Sequence, residues 1–133
     1  MIRAFADTVY YLALLNADDE LHARATEITP KFRGRIVTTA WVIAELLDAL
    51  SRPPHRDLVT RFVHDLFVDP DVTVVPADQD LFQAGLLLFS RRADKEWSFT
   101  DCVSFVAMQR EGMSDALTAD RHFEQAGFVC LLR

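Results

Sequence analysis

The sequence predicts an α/β domain built on a mainly parallel sheet. Short apolar, β-branched runs alternate with longer stretches of helical periodicity, the pattern that βα units produce. Three apolar segments run straight into an aspartate: Phe5-Ala6-Asp7, Ser98-Phe99-Thr100-Asp101 and Leu117-Thr118-Ala119-Asp120. A chain of 133 residues, half of them hydrophobic, has the material for one domain core.

The first strand is read at Ile2–Ala6, with a helix over Thr8–Asn16 and a second over Asp19–Ile28. A strand at Arg35–Thr38 leads into a helix over Ala40–Ser51. Pro53-Pro54 stops that helix, because proline lacks the N–H donor and restricts the residue before it. His55–Phe67 is helical and Val72–Pro76 is the third strand. Asp78 N-caps a helix over Asp78–Ser90 that carries Leu81, Phe82, Leu86 and Phe89. A helix over Asp101–Glu111 ends at Gly112. Ala116–Thr118 is the fourth strand, and the short helix Arg121–Gln125 ends at Gly127. Both glycines stand where a left-handed cap is expected. Phe128–Leu132 is the fifth strand.

Parallel sheets bind ligands beyond the carboxyl ends of their strands, at the switch point of the topology. Asp7 and Asp120 lie at the carboxyl ends of the first and fourth strands. If those strands flank the switch point, both carboxylates enter one crevice; periodicity leaves the strand order open. Glu45 is a fourth acid, set in the apolar helical stretch Ala40–Leu47. Charged groups are seldom buried unless paired or bound to metal, so four acids at the edges of core elements point to a carboxylate pocket for a hard cation. Oxygen ligands suit Mg²⁺ or Mn²⁺ rather than zinc.

Each acid has a plainer reading. Asp7 and Asp120 are placed to N-cap the helices that follow them, and Ser98 with Asp101 has the spacing of a capping box. Trp41, Glu45, Asp48 and Arg52 form a stripe at helical spacing that can be one solvated face. Capping and cation binding are compatible, since a carboxylate has two oxygens.

The net charge of −6 argues against a protein that simply coats nucleic acid. It does not exclude a nuclease, because the four acids supply most of that charge and divalent cations would neutralise them. No apolar run approaches the roughly 18 residues of a membrane span. Arg3 followed by Asp7 makes a poor signal peptide. Cys102 and Cys130 are too few for a disulfide framework and lack metal-ligand spacing. A cytoplasmic location is the expectation.

Four segments together resemble the PIN-domain ribonucleases, above all the VapC-type toxins of bacterial toxin–antitoxin pairs. They are Phe5-Ala6-Asp7-Thr8, Ala44-Glu45-Leu46, Trp97-Ser98-Phe99-Thr100-Asp101-Cys102-Val103-Ser104-Phe105 and Leu117-Thr118-Ala119-Asp120-Arg121-His122-Phe123. The resemblance spans essentially the whole chain. It implies a three-layer α/β/α fold with a five-stranded parallel sheet in the order 3-2-1-4-5. It implies that Asp7, Glu45, Asp101 and Asp120 form an acidic quartet, with Glu45 either a ligand or a residue orienting the attacking water. Thr8 and Thr118 would support the quartet through hydroxyl hydrogen bonds. The implied activity is divalent-metal-dependent hydrolysis of RNA phosphodiester bonds. The implied partners are a cognate antitoxin and a second copy of the chain.

Clustered carboxylates repel, so at least one carboxyl pKa in such a pocket should rise. Of the histidines, His22, His55, His64 and His122, none has paired ligand spacing, and His122 is only near the expected site. Lys31-Arg33-Arg35, Arg52-Arg56-Arg61 and Arg91-Arg92-Lys95 are basic clusters available to phosphates, with ordinary solvated surface as the competing reading. Phe32, Trp97 and Phe99 are candidates for base stacking or, more simply, core. A phospho-receiver domain is disfavoured because no lysine follows Lys95. A non-catalytic or housekeeping PIN-like interaction module competes with the nuclease reading, and so does a nuclease that cuts DNA.

Overall fold

The computed structural model of the chain describes residues 3–32 and 35–133. Ile2, the expected first residue of the first strand, and Arg33, an expected basic-cluster residue, lie outside them. Strand β1 (Ala4–Ala6) is followed by α1 (Thr8–Leu15), α2 (His22–Ile28) and a 3-10 turn at Thr29–Phe32. Then come β2 (Ile36–Thr39), α3 (Ala40–Ala49), α4 (His55–Val68), β3 (Val72–Val75), α5 (Gln79–Arg91) and α6 (Phe99–Arg110). The chain closes with β4 (Asp115–Leu117), α7 (Arg121–Gln125) and β5 (Val129–Cys130). No helix among the described residues is long and apolar enough to cross a membrane.

The five strands form one parallel sheet in the order β3-β2-β1-β4-β5, as the resemblance implies. The chain winds outward from β1 to β3, then crosses back over β1 to β4 and β5. Right-handed crossovers running in opposite directions put helices on both faces of the sheet, the three-layer arrangement. The direction reverses between β1 and β4, so the crevice of the fold opens at their carboxyl ends. Register makes those ends level: Phe5 pairs with Val37 on one side and Ala116 on the other, and Ala6 pairs with Leu117. The Asp7 N–H continues the ladder by donating to the Leu117 carbonyl at 3.4 Å.

Central β1 is wholly buried, and the two alanines flanking Phe5 keep its neighbours close. Phe105 of α6 meets Phe123 of α7 at 4.9 Å and Trp97 at 5.0 Å between ring centroids. These edge-on contacts fix the two helices that begin beside Asp101 and Asp120. Gly85 lets α5 lie tightly on α6, because a Cβ there would sit 2.6 Å from Val103 Cγ2. Gly112 and Gly127 both have positive φ, as the expected left-handed caps require.

Most expected boundaries hold within one or two residues. The helix expected from Asp19 begins instead at His22, because the Asp19 carboxylate accepts from the Leu21 N–H at 2.8 Å and stabilises a turn there. The third helix ends at Ala49 rather than Ser51, so Pro53-Pro54 follows its end at a short distance. The last strand shrinks from Phe128–Leu132 to Val129–Cys130. Cys102 is buried and Cys130 half-buried, and both are free thiols.

Candidate active site

Asp7 follows the last residue of β1 and occupies the N-cap position of α1, yet its side chain makes no capping hydrogen bond. The capping reading therefore fails for this residue. Its carboxylate turns to β4 instead, where the Thr118 hydroxyl donates to Oδ2 at 2.8 Å. The same hydroxyl oxygen accepts from the Asp120 N–H at 3.1 Å. One buried threonine thus fixes Asp7 and orients the loop carrying Asp120.

Asp7 is only 4% exposed. Burial is the main force that pushes its carboxyl up to about 7, and the charges of Asp101 and Asp120 add to it. The hydrogen bonds from Thr118 and from the Thr8 N–H pull the other way. A raised carboxyl was expected from crowding of like charges; it is found, but desolvation outweighs repulsion.

Asp101 and Asp120 do cap. Ser98 and Asp101 form a reciprocal capping box on α6, with the Asp101 N–H donating to Ser98 Oγ at 3.0 Å and the Ser98 N–H to Asp101 Oδ2 at 3.1 Å. Asp120 Oδ1 accepts from the His122 N–H at 2.9 Å at the start of α7. His122 Nδ1 lies 2.9 Å from Asp101 Oδ2 and 3.5 Å from Asp120 Oδ1. Since a carboxylate only accepts, that nitrogen carries the proton. Ligand-type atoms of Asp101, Asp120 and His122 all lie within 4.8 Å of one another. Burial disfavours the imidazolium, but the hydrogen bond to Asp101 and the charges of Asp120 and Asp101 outweigh it, so the His122 pKa is raised.

Three of the four expected acids, Asp7, Asp101 and Asp120, thus gather at the carboxyl ends of β1 and β4. Glu45 stands apart. It lies in the second turn of α3, exposed, with no hydrogen bond or ion pair among the described residues. Asp48 and Arg52 on its stripe are exposed as well, while Trp41 packs towards Phe82, 6.4 Å between centroids. Thr118 takes the supporting place expected of it. Thr8 is buried, but its hydroxyl finds no partner among the described residues. His122, expected only near the site, joins it through Nδ1, which reaches Asp101 and Asp120.

The expected stacking residues divide differently. Phe32 and Trp97 are buried, and Trp97 Nε1 donates to Gln125 Oε1 at 2.9 Å. Phe99 is half-buried against Phe82, 4.8 Å between centroids. In the basic clusters, Arg92 is paired with Asp94 at 3.0 Å and lies 5.0 Å above the Trp97 ring. Lys31, Arg35, Arg52, Arg56, Arg61 and Arg91 are exposed.

The donor set fits a hard divalent cation. Asp101 and Asp120 each commit one oxygen to holding the site, whereas Asp101 Oδ1 and Asp120 Oδ2 accept no hydrogen bond among the described residues. Asp7 stands close enough to feel the charges of both, with one oxygen held by Thr118.

A family model for the PIN domain matches residues 4–129. The curated relative "23S rRNA-specific endonuclease VapC20" of Mycobacterium tuberculosis H37Rv is 32% identical over 126 residues, covering 94% of this chain and 95% of the relative. The crystal structure of Mycobacterium tuberculosis VapC20, described as a "Sarcin-Ricin loop cleaving toxin", superposes with a TM-score of 0.86 at 27% identity, covering 95% of this chain and 96% of that one. FitAcB from Neisseria gonorrhoeae shares the fold, with a TM-score of 0.69 at 15% identity over 96% of this chain and 95% of that one.

Proposed function

The chain belongs to the PIN domain family, and from that premise we propose that it is a divalent-metal-dependent endoribonuclease and the toxin of a toxin–antitoxin pair. The observation that carries the reading is the convergence of Asp101 and Asp120 beside buried Asp7 at the carboxyl ends of β1 and β4. The 133 residues act as one nuclease domain. The substrate is structured RNA of the ribosomal class that VapC20 is named for. A cognate antitoxin and a second copy of the chain are the protein partners, and the cytoplasm is the place of action.

Asp7, Asp101 and Asp120 would hold Mg²⁺ or Mn²⁺, with Glu45 acting from the solvent side of the site. When bound, the cation lowers the pKa of water for attack on phosphorus and neutralises charge on the phosphoryl and leaving oxygens. The chain's own residues prepare the place. Thr118 keeps the Asp7 carboxylate from rotating, and the capping box does the same for Asp101. The proton on His122 Nδ1 holds Asp101 Oδ2, leaving Oδ1 free. Burial keeps part of the Asp7 population protonated in neutral solution, so cation binding there would be accompanied by proton release.

Incubation of the purified chain with 23S rRNA, and with single-stranded DNA of matched sequence, tests the reading in the presence of Mg²⁺ or Mn²⁺. Endonucleolytic cleavage of the RNA that stops with chelator and with Asp101→Asn is expected. Cleavage that survives both would remove the assigned site.

A further inference from the structure

The segment between α5 and α6 holds one surface arginine still. Arg92 places its Cζ over the Trp97 ring, 5.0 Å from the centroid. Its Nε and Nη2 donate in a fork to the two carboxylate oxygens of Asp94, each at 3.0 Å. Trp97 is itself fixed. Its Nε1 donates to Gln125 Oε1 at 2.9 Å, and its ring meets Phe105 edge-on at 5.0 Å between centroids. A surface arginine ordinarily keeps its rotamer freedom. This one is pinned by a ring and by a carboxylate, yet 40% of its side chain stays exposed and Nη1 has no partner among the described residues.

Arg92 and Trp97 line a cavity of about 500 Å³ together with Phe89, Lys95, Glu96 and Cys102. That volume is in the range of small-ligand sites. Charge decides what kind of group it suits. Arg92 and Lys95 are matched by Asp94 and Glu96, with Lys95 Nζ 4.0 Å from Asp94 Oδ2. A phosphate site needs an excess of positive charge, which this cavity lacks. A nucleobase needs a flat partner, and a guanidinium offers one to any base. Position agrees with this. Cys102 directly follows Asp101, and Glu96 lies near enough to His122 for its charge to act there. The cavity therefore adjoins the carboxylates at the start of α6.

We propose that the cavity of Arg92 and Trp97 receives an unstacked nucleobase of the RNA, beside the phosphodiester held at the acids, with the Arg92 guanidinium as its stacking platform. The inference rests on the nuclease reading and adds to it a subsite for one base. The pinning of Arg92 serves that purpose, because a base that stacks on an already immobilised side chain costs little further ordering. Only a base freed from its helix can enter, so the subsite selects loops and single strands over paired RNA. Within the basic cluster Arg91-Arg92-Lys95, Arg92 thus has a task other than holding phosphate. Its charge is answered by Asp94, and its plane is what remains to offer.

A cycle of changes in protein and substrate tests it. The full chain first cuts 23S rRNA in Mn²⁺, and RNA hairpins spanning the cut are then made with single abasic nucleotides around it. One abasic position is expected to raise KM by about ten- to a hundredfold with kcat little changed, the size of one lost base stack. Arg92→Lys keeps the charge and loses the plane. It should raise KM for the intact hairpin by a similar factor and have no further effect on that abasic hairpin. Two losses that multiply would make Arg92 a structural residue and overturn the proposal. A KM that Arg92→Lys leaves at the wild-type value would overturn it as well, since a charge contact or another ligand would then account for the cavity. Should Arg92→Lys lose its native circular dichroism spectrum, Asp94→Asn releases the fork and decides by the same cycle. Its smaller rise in KM must vanish on the same abasic hairpin. A wild type that cuts no RNA fails at the first step and brings down the nuclease reading, and this inference with it.

Discussion

Asp7 and Glu45 are both acids in apolar sequence, and the fold treats them oppositely. Asp7 sits where two strands end at the same level, 4% exposed, with a threonine from across the sheet holding one oxygen. Glu45 sits on the outer face of a helix with nothing holding it among the described residues. A carboxylate at a strand end inherits the register of the sheet, so its position is set before any ligand arrives. A carboxylate on a helix surface keeps its rotamer freedom and loses entropy when it is put to use. The comparison divides the expected quartet into a preorganised part and a mobile part.

The largest expected effect lies on the preorganised side. Asp101→Asn should lower RNA cleavage by about a thousandfold or more, on the order of 4 kcal/mol of transition-state stabilisation. The same change should abolish the rise in melting temperature that millimolar Mn²⁺ gives the wild type, expected at several degrees for a ligand well above its Kd. Fold and capping survive, since Ser98 remains the N-cap and the asparagine side-chain oxygen can still accept from the Ser98 N–H. A variant cutting at near wild-type rate would break the division at its stronger end.

Asp7 has a second signature, in stability. Its carboxyl titrates near 7 when folded and near the ordinary 3.8 when unfolded. Between those values the folded chain holds the extra proton, so this residue's contribution is fully present below the unfolded value and is lost as pH rises through 7. Urea unfolding in chelator should therefore show the wild type losing on the order of a few kcal/mol between pH 5 and pH 8 relative to Asp7→Asn. His122, with its own raised pKa, is common to both proteins and cancels to first order. Parallel losses in the two proteins would mean that burial does not set the charge on Asp7.

Thr118→Val removes the hydroxyl that donates to Asp7 and accepts from the Asp120 N–H while keeping the shape of the side chain. Groups that orient ligands typically cost ten- to a hundredfold in metal affinity or activity when removed, and a drop of about that size is expected here. The Asp7 carboxyl should move further up, since the Thr118 hydrogen bond is what lowers it most.

What the sequence could show follows the range of each interaction. Asp101 and Asp120 were legible as caps because their partners, Ser98 and the His122 N–H, are three and two residues away. Strand and helix bounds were legible for the same reason, being set by local periodicity and by Gly112 and Gly127. Asp7 misled as a cap because its partner is 111 residues distant and is supplied by the β1–β4 register. His122 was legible only as a neighbour of the site, because half of its environment is Asp101, brought from another helix by the packing of Phe105 on Phe123. Glu45 was ambiguous in sequence because a charged residue on a half-apolar helix has the same pattern whether it faces solvent or a ligand.

The smallest effect is also the most discriminating. Glu45→Gln should leave stability within about 0.5 kcal/mol of wild type, as expected for an exposed side chain without partners among the described residues. A residue working from the solvent side alters the rate and not the preformed cation site. The expected pattern is an unchanged Mn²⁺ titration midpoint with a fall of about tenfold in kcat, a loss of roughly 1.4 kcal/mol. A midpoint shifted as far as that of Asp101→Asn would mean that Glu45 swings in as a ligand when the cation binds. In that case rotamer freedom on α3 is part of the site's design, and the line between its fixed and mobile acids marks a step in its assembly.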